Sequence, residues 1–102
     1  MIIRIVKLTF QADKLADFLD YFEQVKWDVA AFPGCLGMRL VQDLKNPNLI
    51  MTYSEWESEE ALENYRLSTL FQSIWPTIKP WFSEKPEAWS LQEKFNGFQA
   101  CD

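Results

Sequence analysis

The sequence contains no histidine. Imidazole is the commonest general base and the commonest nitrogen ligand of metals in proteins. Its absence excludes a Ser-His-Asp triad, a Cys-His pair, zinc bound through imidazole and haem bound through a proximal His. We therefore expect neither a metal site nor a cofactor, and any chemistry must come from carboxylates, Arg, Lys, Tyr, Trp or the substrate itself.

Cysteine and positive charge are also scarce. The two cysteines, Cys35 and Cys101, form no CxxC motif and no metal-ligand spacing, so we assign neither a catalytic role. The net charge is −5 and the 10 Lys and Arg residues are scattered, which argues against nucleic acid or an anionic membrane as partner. No apolar run approaches the roughly 18 residues of a bilayer span, and no signal-peptide pattern follows Met1, so the cytoplasm is the expected location.

Aromatic residues are abundant instead. The 102 residues include 5 Trp, 8 Phe and 3 Tyr, and 48% of the chain is hydrophobic. A chain of this length forms a single domain that buries about two thirds of its surface, so this much aromatic surface suggests a cavity or a partner. We predict one domain over residues 1–95 and a C-terminal tail over 96–102.

Hydrophobic spacing predicts six elements. Residues alternate as in strands over 2–10, 35–43, 49–56 and 87–95, and recur at helical spacing over 13–32 and 58–80. Asp13 and Ser58 are the predicted helix N-caps. Pro76 predicts that the second helical region is divided or kinked. In the second strand, alternation places Leu36 on the same face as Met38 and Leu40, opposite to Arg39.

The order strand, helix, strand, strand, helix, strand predicts an α+β ferredoxin-like fold, with a four-stranded antiparallel sheet and its helices on one face. The uncovered face would still be apolar, because Ile3 and Ile5 lie opposite to Val6 and Leu8 on the first strand. A second copy of the chain is the simplest cover for such a face. We therefore expect a homodimer with two sheets packed face to face.

Several segments resemble the antibiotic biosynthesis monooxygenase superfamily of dimeric α/β barrels. They are residues 4–10 (RIVKLTF), 32–35 (FPGC), 53–62 (YSEWESEEAL) and 68–71 (STLF). The similarity spans nearly the whole chain, and its motifs are more specific for the architecture than for a chemistry. The superfamily includes monooxygenases without a cofactor that oxidise aromatic quinols, as well as enzymes that degrade haem.

The resemblance disfavours haem degradation for this chain. The haem-degrading members use an Asn on strand one, a Trp on the second main helix and a His further along that helix. Matching the motifs places Val6, Tyr65 and Trp75 in these three positions, and none of them agrees.

The remaining implied activity is oxidation of a small aromatic or quinol-type molecule by dioxygen without a cofactor. Arg39, with Arg4 as a second candidate, could lower the pKa of a bound phenol. The pocket walls and donors would come from Tyr53, Tyr65, Trp56, Trp75 and Trp81.

Each candidate also has a structural alternative. Arg39 could be solvated or paired with Glu55, Tyr65 could pack on the sheet, and the Trp residues could fill the core or a dimer interface. The alternative function is a non-enzymatic dimeric binding or interaction module whose cavity its own aromatic side chains fill.

Overall fold

The computed structural model describes residues 1–98, which form four strands and three α-helices. The predictions made from the sequence for residues 99–102, including Cys101, lie outside this part of the chain. In chain order the elements are β1 (Ile2–Thr9), α1 (Leu15–Ala30), β2 (Cys35–Gln42), β3 (Leu49–Trp56), α2 (Glu59–Arg66), α3 (Thr69–Ile78), a short 3-10 helix (Lys79–Trp81) and β4 (Glu87–Leu91).

The strands form one antiparallel sheet in the order β2-β3-β1-β4. The two central strands, β1 and β3, pair along their whole length from Ile2 with Trp56 to Thr9 with Leu49. The prediction of a ferredoxin-like α+β fold is confirmed. The two edge positions are occupied by β2 and β4, so β4 has a hydrogen-bonded neighbour on one side only.

The pairing register sorts the sheet residues onto two faces. Side chains directly opposite each other share a face, so the pairs Leu8–Ile50 and Val6–Thr52 define the helix-facing side. The remaining face, which we call the open face, carries Ile5 and its neighbours. The apolar residues expected on the far side of the sheet are present and include Ile3, Met51, Val41, Trp89 and Leu91, but the same face also carries the charged residues Lys7, Arg39, Glu55 and Glu87.

A β-bulge changes the predicted parity at the start of β2. Cys35 pairs with Trp56 and Gly37 pairs with Glu55, so Leu36 is an extra residue with no partner in the ladder. The prediction that Leu36 shares the face of Met38 and Leu40 stays a prediction, but Leu36 does not join these two residues against the core. Its side chain is 54% exposed, and simple alternation resumes only from Gly37 onwards.

Helix α1 begins one residue later than predicted. Lys14, not Asp13, is the N-cap residue, and no side chain caps this end. Asp13 lies instead in a turn closed by the Lys14 amide, which donates to the Gln11 carbonyl at 2.9 Å. The helix ends before Gly34, whose positive φ of 89° suits glycine, and a Cβ there would lie 2.5 Å from that of Ala61.

The second helical region is divided, but not by its proline. Helix α2 begins at the predicted cap, where the Ser58 hydroxyl accepts a hydrogen bond from the Ala61 amide at 3.1 Å. A new helix starts after Ser68, whose hydroxyl accepts from the Phe71 amide at 3.1 Å. Pro76 lies inside α3. The break therefore follows from a serine cap, a weaker sequence signal than proline.

Strand β4 ends at Leu91, four residues before the predicted end. Leu91 pairs with Ile3, and β1 begins at Ile2, so β1 offers no strand residue opposite any position beyond 92. Residues 92–98 form neither helix nor strand. The division into a domain over 1–95 and a tail over 96–102 stays a prediction.

The main core lies between the sheet and the helices. Phe10 stacks on Phe18 of α1, with ring centroids 4.3 Å apart, and also contacts Phe82 at 5.3 Å. Leu8 and Ile50 lie beneath them on the sheet. This cluster fills one end of the space under the helices, and the other end is not filled.

Candidate functional site

A cavity of about 400 Å³ lies between the helix-facing side of the sheet and the three helices. Its volume is in the range of about 300–1,000 Å³ that is typical of small-molecule sites. It is bounded by β1 and β3 below, by α1, α2 and α3 above, and by β4 at one side. Its polar or aromatic lining residues are Arg4, Phe18, Tyr21, Phe22, Thr52, Ser54, Trp56, Tyr65, Arg66, Phe71, Trp75 and Glu87.

The cavity has an aromatic wall that the sequence candidates Trp56, Tyr65 and Trp75 build in large part. The Trp56 and Tyr65 rings stack with centroids 5.0 Å apart. Tyr65 meets Phe71 edge to face at 5.3 Å, and Phe71 stacks on Trp75 at 5.8 Å. Trp56 is fixed further because its indole N–H donates to the Ser54 hydroxyl at 2.9 Å. Such contacts hold the wall in place without a ligand.

Burial raises the pKa of Tyr65 to about 12. The hydroxyl therefore stays protonated at neutral pH and acts as a hydrogen-bond donor, not as a base. Among residues 1–98, no side chain or backbone group pairs with this hydroxyl, and it retains some access to the cavity. A ligand in the cavity could accept its hydrogen bond.

Arg4 lies at the mouth of the cavity. It is on the helix-facing side of β1, level with Ser54 of β3 and Ser90 of β4. The guanidinium donates to the Ser90 hydroxyl at 3.0 Å. Desolvation by burial lowers the pKa of Arg4, and the nearby Arg66 cation lowers it further, while Glu63 acts in the opposite direction. The group nevertheless remains a cation at neutral pH.

Arg66 was not among the sequence candidates, although a signal for it exists. It is four residues after Leu62, which is buried beneath α2, so helical periodicity points both side chains toward the sheet. Its position at the end of α2 brings it beside Arg4 at the mouth. The Arg66 guanidinium also lies 3.2 Å from a Glu63 carboxylate oxygen on its own helix.

Trp81 does not line this cavity, and neither do Arg39 and Tyr53. The register pairs them with each other on the open face of the sheet, and Arg39 is exposed there. Their placement corrects the expectation that they share a pocket with Tyr65. The proposed Arg39–Glu55 ion pair is absent among residues 1–98, and Glu55 accepts a hydrogen bond from the Tyr53 hydroxyl at 3.0 Å instead.

Within residues 1–98, no cluster of three or more acidic or cysteine side chains is placed to hold a metal ion. Over the same range, no helix combines the length and the apolarity needed to cross a bilayer.

Cys35 is half-buried near Tyr65, and desolvation raises the pKa of its thiol, so the reactive thiolate is disfavoured.

The geometry defines a ferredoxin-like domain with a ligand-sized cavity under its helices. The profile of the antibiotic biosynthesis monooxygenase family matches residues 1–75, which is more than half of the chain. The chain therefore belongs to this family, and the resemblance noted in the sequence is confirmed.

Solved structures share this architecture. A crystal structure of an antibiotic biosynthesis monooxygenase superposes with a TM-score of 0.85 at 18% identity, covering 91% of this chain and 98% of that one. A conserved protein from Methanosarcina mazei Go1 gives a TM-score of 0.85 at 23% identity, covering 92% of this chain and 94% of that one. At these identities, the likeness shows the fold alone.

One curated relative matches over a shorter stretch. The 42.8 kDa protein in the whiE locus of Streptomyces coelicolor is 45% identical over 42 residues, which is 41% of this chain. The match spans only 11% of that larger protein. The activity of the whole relative therefore cannot be transferred from this segment.

Proposed function

We propose that this chain is a monooxygenase that oxidises a small aromatic, quinol-type molecule with dioxygen and without a cofactor. The observation that carries the proposal is the aromatic-walled cavity of about 400 Å³ with Tyr65 and Arg4 on its lining. Its size suits one small planar molecule. Membership of the monooxygenase family supports the reaction class.

The chemistry would depend on the substrate as reductant. A deprotonated hydroquinone is electron-rich enough to reduce dioxygen, and one hydroquinone and one O₂ would give one hydroxyquinone and one water. One oxygen atom of O₂ is added to a ring carbon as a hydroxyl group, and the other is released as water. The protein would stabilise the substrate anion and exclude bulk water from the ring.

Three groups have proposed roles in this reaction. The Arg4 cation would favour the phenolate form of the substrate. The Tyr65 hydroxyl would donate a hydrogen bond to a substrate oxygen, and Trp75 would form the wall against the ring. Because the chain has no histidine, haem degradation remains disfavoured and no cofactor is included in the proposal.

The alternative, a binding or interaction module, requires that aromatic side chains of the chain fill its own cavity. The volume of about 400 Å³ argues against a filled cavity. The activity measurement described next distinguishes binding alone from binding with oxidation. A cytoplasmic location stays a prediction of the sequence.

The Tyr65→Phe substitution provides a direct test. We expect the wild-type protein to consume oxygen above background with at least one member of a panel of benzo- and naphthohydroquinones. Tyr65→Phe should lower kcat by about tenfold or more, because it removes one donor to the developing anion and leaves the ring stack in place. Oxygen uptake and product absorbance measure the rate.

Tyr53→Phe is the matched control, since it removes the same hydroxyl from the open face. It should leave kcat within about twofold. Oxygen uptake at background across the whole panel would contradict the proposed oxidation. Loss of activity in Tyr53→Phe with full activity in Tyr65→Phe would instead place the reaction on the open face.

We also propose that two copies of the chain pack through their open faces. Trp89 and Leu91 are 43% and 41% exposed there, and Val41 is 47% exposed. Exposed apolar residues on a sheet face, bordered by polar side chains, are typical of a protein–protein interface. Dimer formation would bury these side chains and cover the sheet on both sides.

Sedimentation equilibrium tests the dimer. At micromolar concentration, we expect a mass of twice the 12.1 kDa chain. Trp89→Lys should weaken association by about tenfold or more, because it places a charge in the apolar contact. Trp27→Lys makes the same change on the exposed side of α1 and should leave the mass unchanged. A wild-type monomer at this concentration would overturn the proposal.

A further inference from the structure

The mouth of the cavity is cationic, although the chain as a whole has a net charge of −5. Arg4 of β1 and Arg66 of α2 both line the cavity. Their two positive charges therefore lie at the same end of the site. The body of the cavity is lined by aliphatic and aromatic side chains such as Val6, Phe22 and Trp75. One end of the site is therefore apolar and the other carries guanidinium groups.

The carboxylates near the mouth form no direct ion pair with Arg4, although Glu63 acts on it from a greater distance. Glu63 pairs with Arg66 at 3.2 Å, and Glu87 lies 3.7 Å from Lys7. Among residues 1–98, no carboxylate oxygen lies within 4.0 Å of the Arg4 guanidinium. Its one side-chain partner there is the neutral Ser90 hydroxyl. A half-buried cation beside another cation thus lacks an anionic partner.

An anionic ligand group would satisfy this arrangement. A guanidinium has five N–H donors, of which Ser90 takes one, so donors remain for the two oxygens of a carboxylate. Hydrogen bonds between charged groups are stronger than neutral ones, and partial burial reduces their screening by solvent. A carboxylate is ionised at neutral pH, whereas a quinol offers Arg4 an anion only after it loses a phenolic proton.

We infer that the cavity binds a planar aromatic molecule bearing a carboxylate, with its ring against the aromatic wall and its carboxylate at Arg4 and Arg66. This inference rests on the proposed function and narrows its substrate class from quinols in general to quinols that carry a carboxylate. Arg4 is the main contact. Arg66 contributes less, because it is more exposed and already shares its charge with Glu63.

Two inert probes test the inference apart from oxidation. 2-Naphthoate and 2-naphthamide have the same ring and nearly the same shape, differ in charge, and do not reduce dioxygen. We expect naphthoate to bind about tenfold more tightly in titration calorimetry, and the difference to shrink at high salt. Arg4→Gln should weaken naphthoate binding by about tenfold and naphthamide binding by less than about twofold.

Two variants complete the experiment. Arg4→Lys keeps the charge and should retain most of the preference for naphthoate. Arg39→Gln removes the same charge from the open face and should leave both affinities unchanged, with the dimer mass measured in parallel.

The outcomes separate this inference from the proposed function. Equal affinities for the two probes, or equal losses for both in Arg4→Gln, would overturn the inference and leave quinol oxidation standing. A preference for naphthoate that Arg4→Gln abolishes would support it even if no hydroquinone is oxidised. Binding of neither probe would overturn both the inference and the cavity as an aromatic site.

Discussion

Replacing Phe10 by Ala should lower the free energy of unfolding by about 3–5 kcal/mol, the usual cost of removing a buried aromatic side chain. Phe10 is 1% exposed and lies between Phe18 and Phe82. The Phe10 backbone also forms a β-bridge with that of Phe82, and the two rings are in contact. Phe10 therefore joins the end of β1 to the segment that leads into β4. For a domain of about 100 residues, Tm should fall by about 12 °C or more.

Thermal and urea unfolding followed by circular dichroism measure this effect. The control is Trp27→Ala, because Trp27 is a larger aromatic residue but is 73% exposed on α1. Its cost should be below about 0.5 kcal/mol. Equal destabilisation by the two substitutions would show that the aromatic cluster around Phe10 is not the core, and that the stability of the domain comes from the helix surface.

Most of the fold follows from periodicity. Strand β1 alternates apolar side chains on both faces, and the pairing of β1 with β3 places these residues as the alternation predicts. The spacing of Phe18, Phe22 and Val29 likewise predicts the buried side of α1. These features depend on neighbours a few residues away, which is the range over which a sequence pattern is informative.

The errors occur where one local signal overrides another, or where the pairing of distant strands decides. Pro76 is a strong local signal for a break, yet the helix divides at Ser68, whose hydroxyl caps α3. The bulge at Leu36 interrupts a regular alternation. The end of β4 depends on where β1 begins, nearly ninety positions away in the chain. No pattern within a short window contains that information.

The site was predicted in part for the same reason. Trp56, Tyr65 and Trp75 line the cavity, as does Arg4, whereas Arg39 does not. The two arginines are on different strands, and only the register between β2 and β3 shows that Arg39 shares the open face with Tyr53. Arg66 is aligned with Leu62 on α2, but its approach to Arg4 depends on how α2 lies over the sheet.

The cavity opens beside β4 because this strand is at the edge of the sheet. Its residues are exposed on both faces, so the helices do not cover it. Ala88 lies on the helix-facing side next to Val6 and forms part of the cavity lining. A large side chain at this position would occupy the mouth without entering the packed core.

We therefore expect Ala88→Trp to reduce oxidation of the best hydroquinone by about tenfold or more, because an indole at the mouth excludes a planar ligand from an enclosed site. Stability should change little, since Ala88 is exposed and Trp is favoured in strands. Lys45→Trp, in the exposed turn between β2 and β3, is the control and should keep full activity. Full activity in Ala88→Trp, with an unchanged Tm and ligand affinity, would mean that the substrate does not enter beside β4, and the cavity would lose its assigned role.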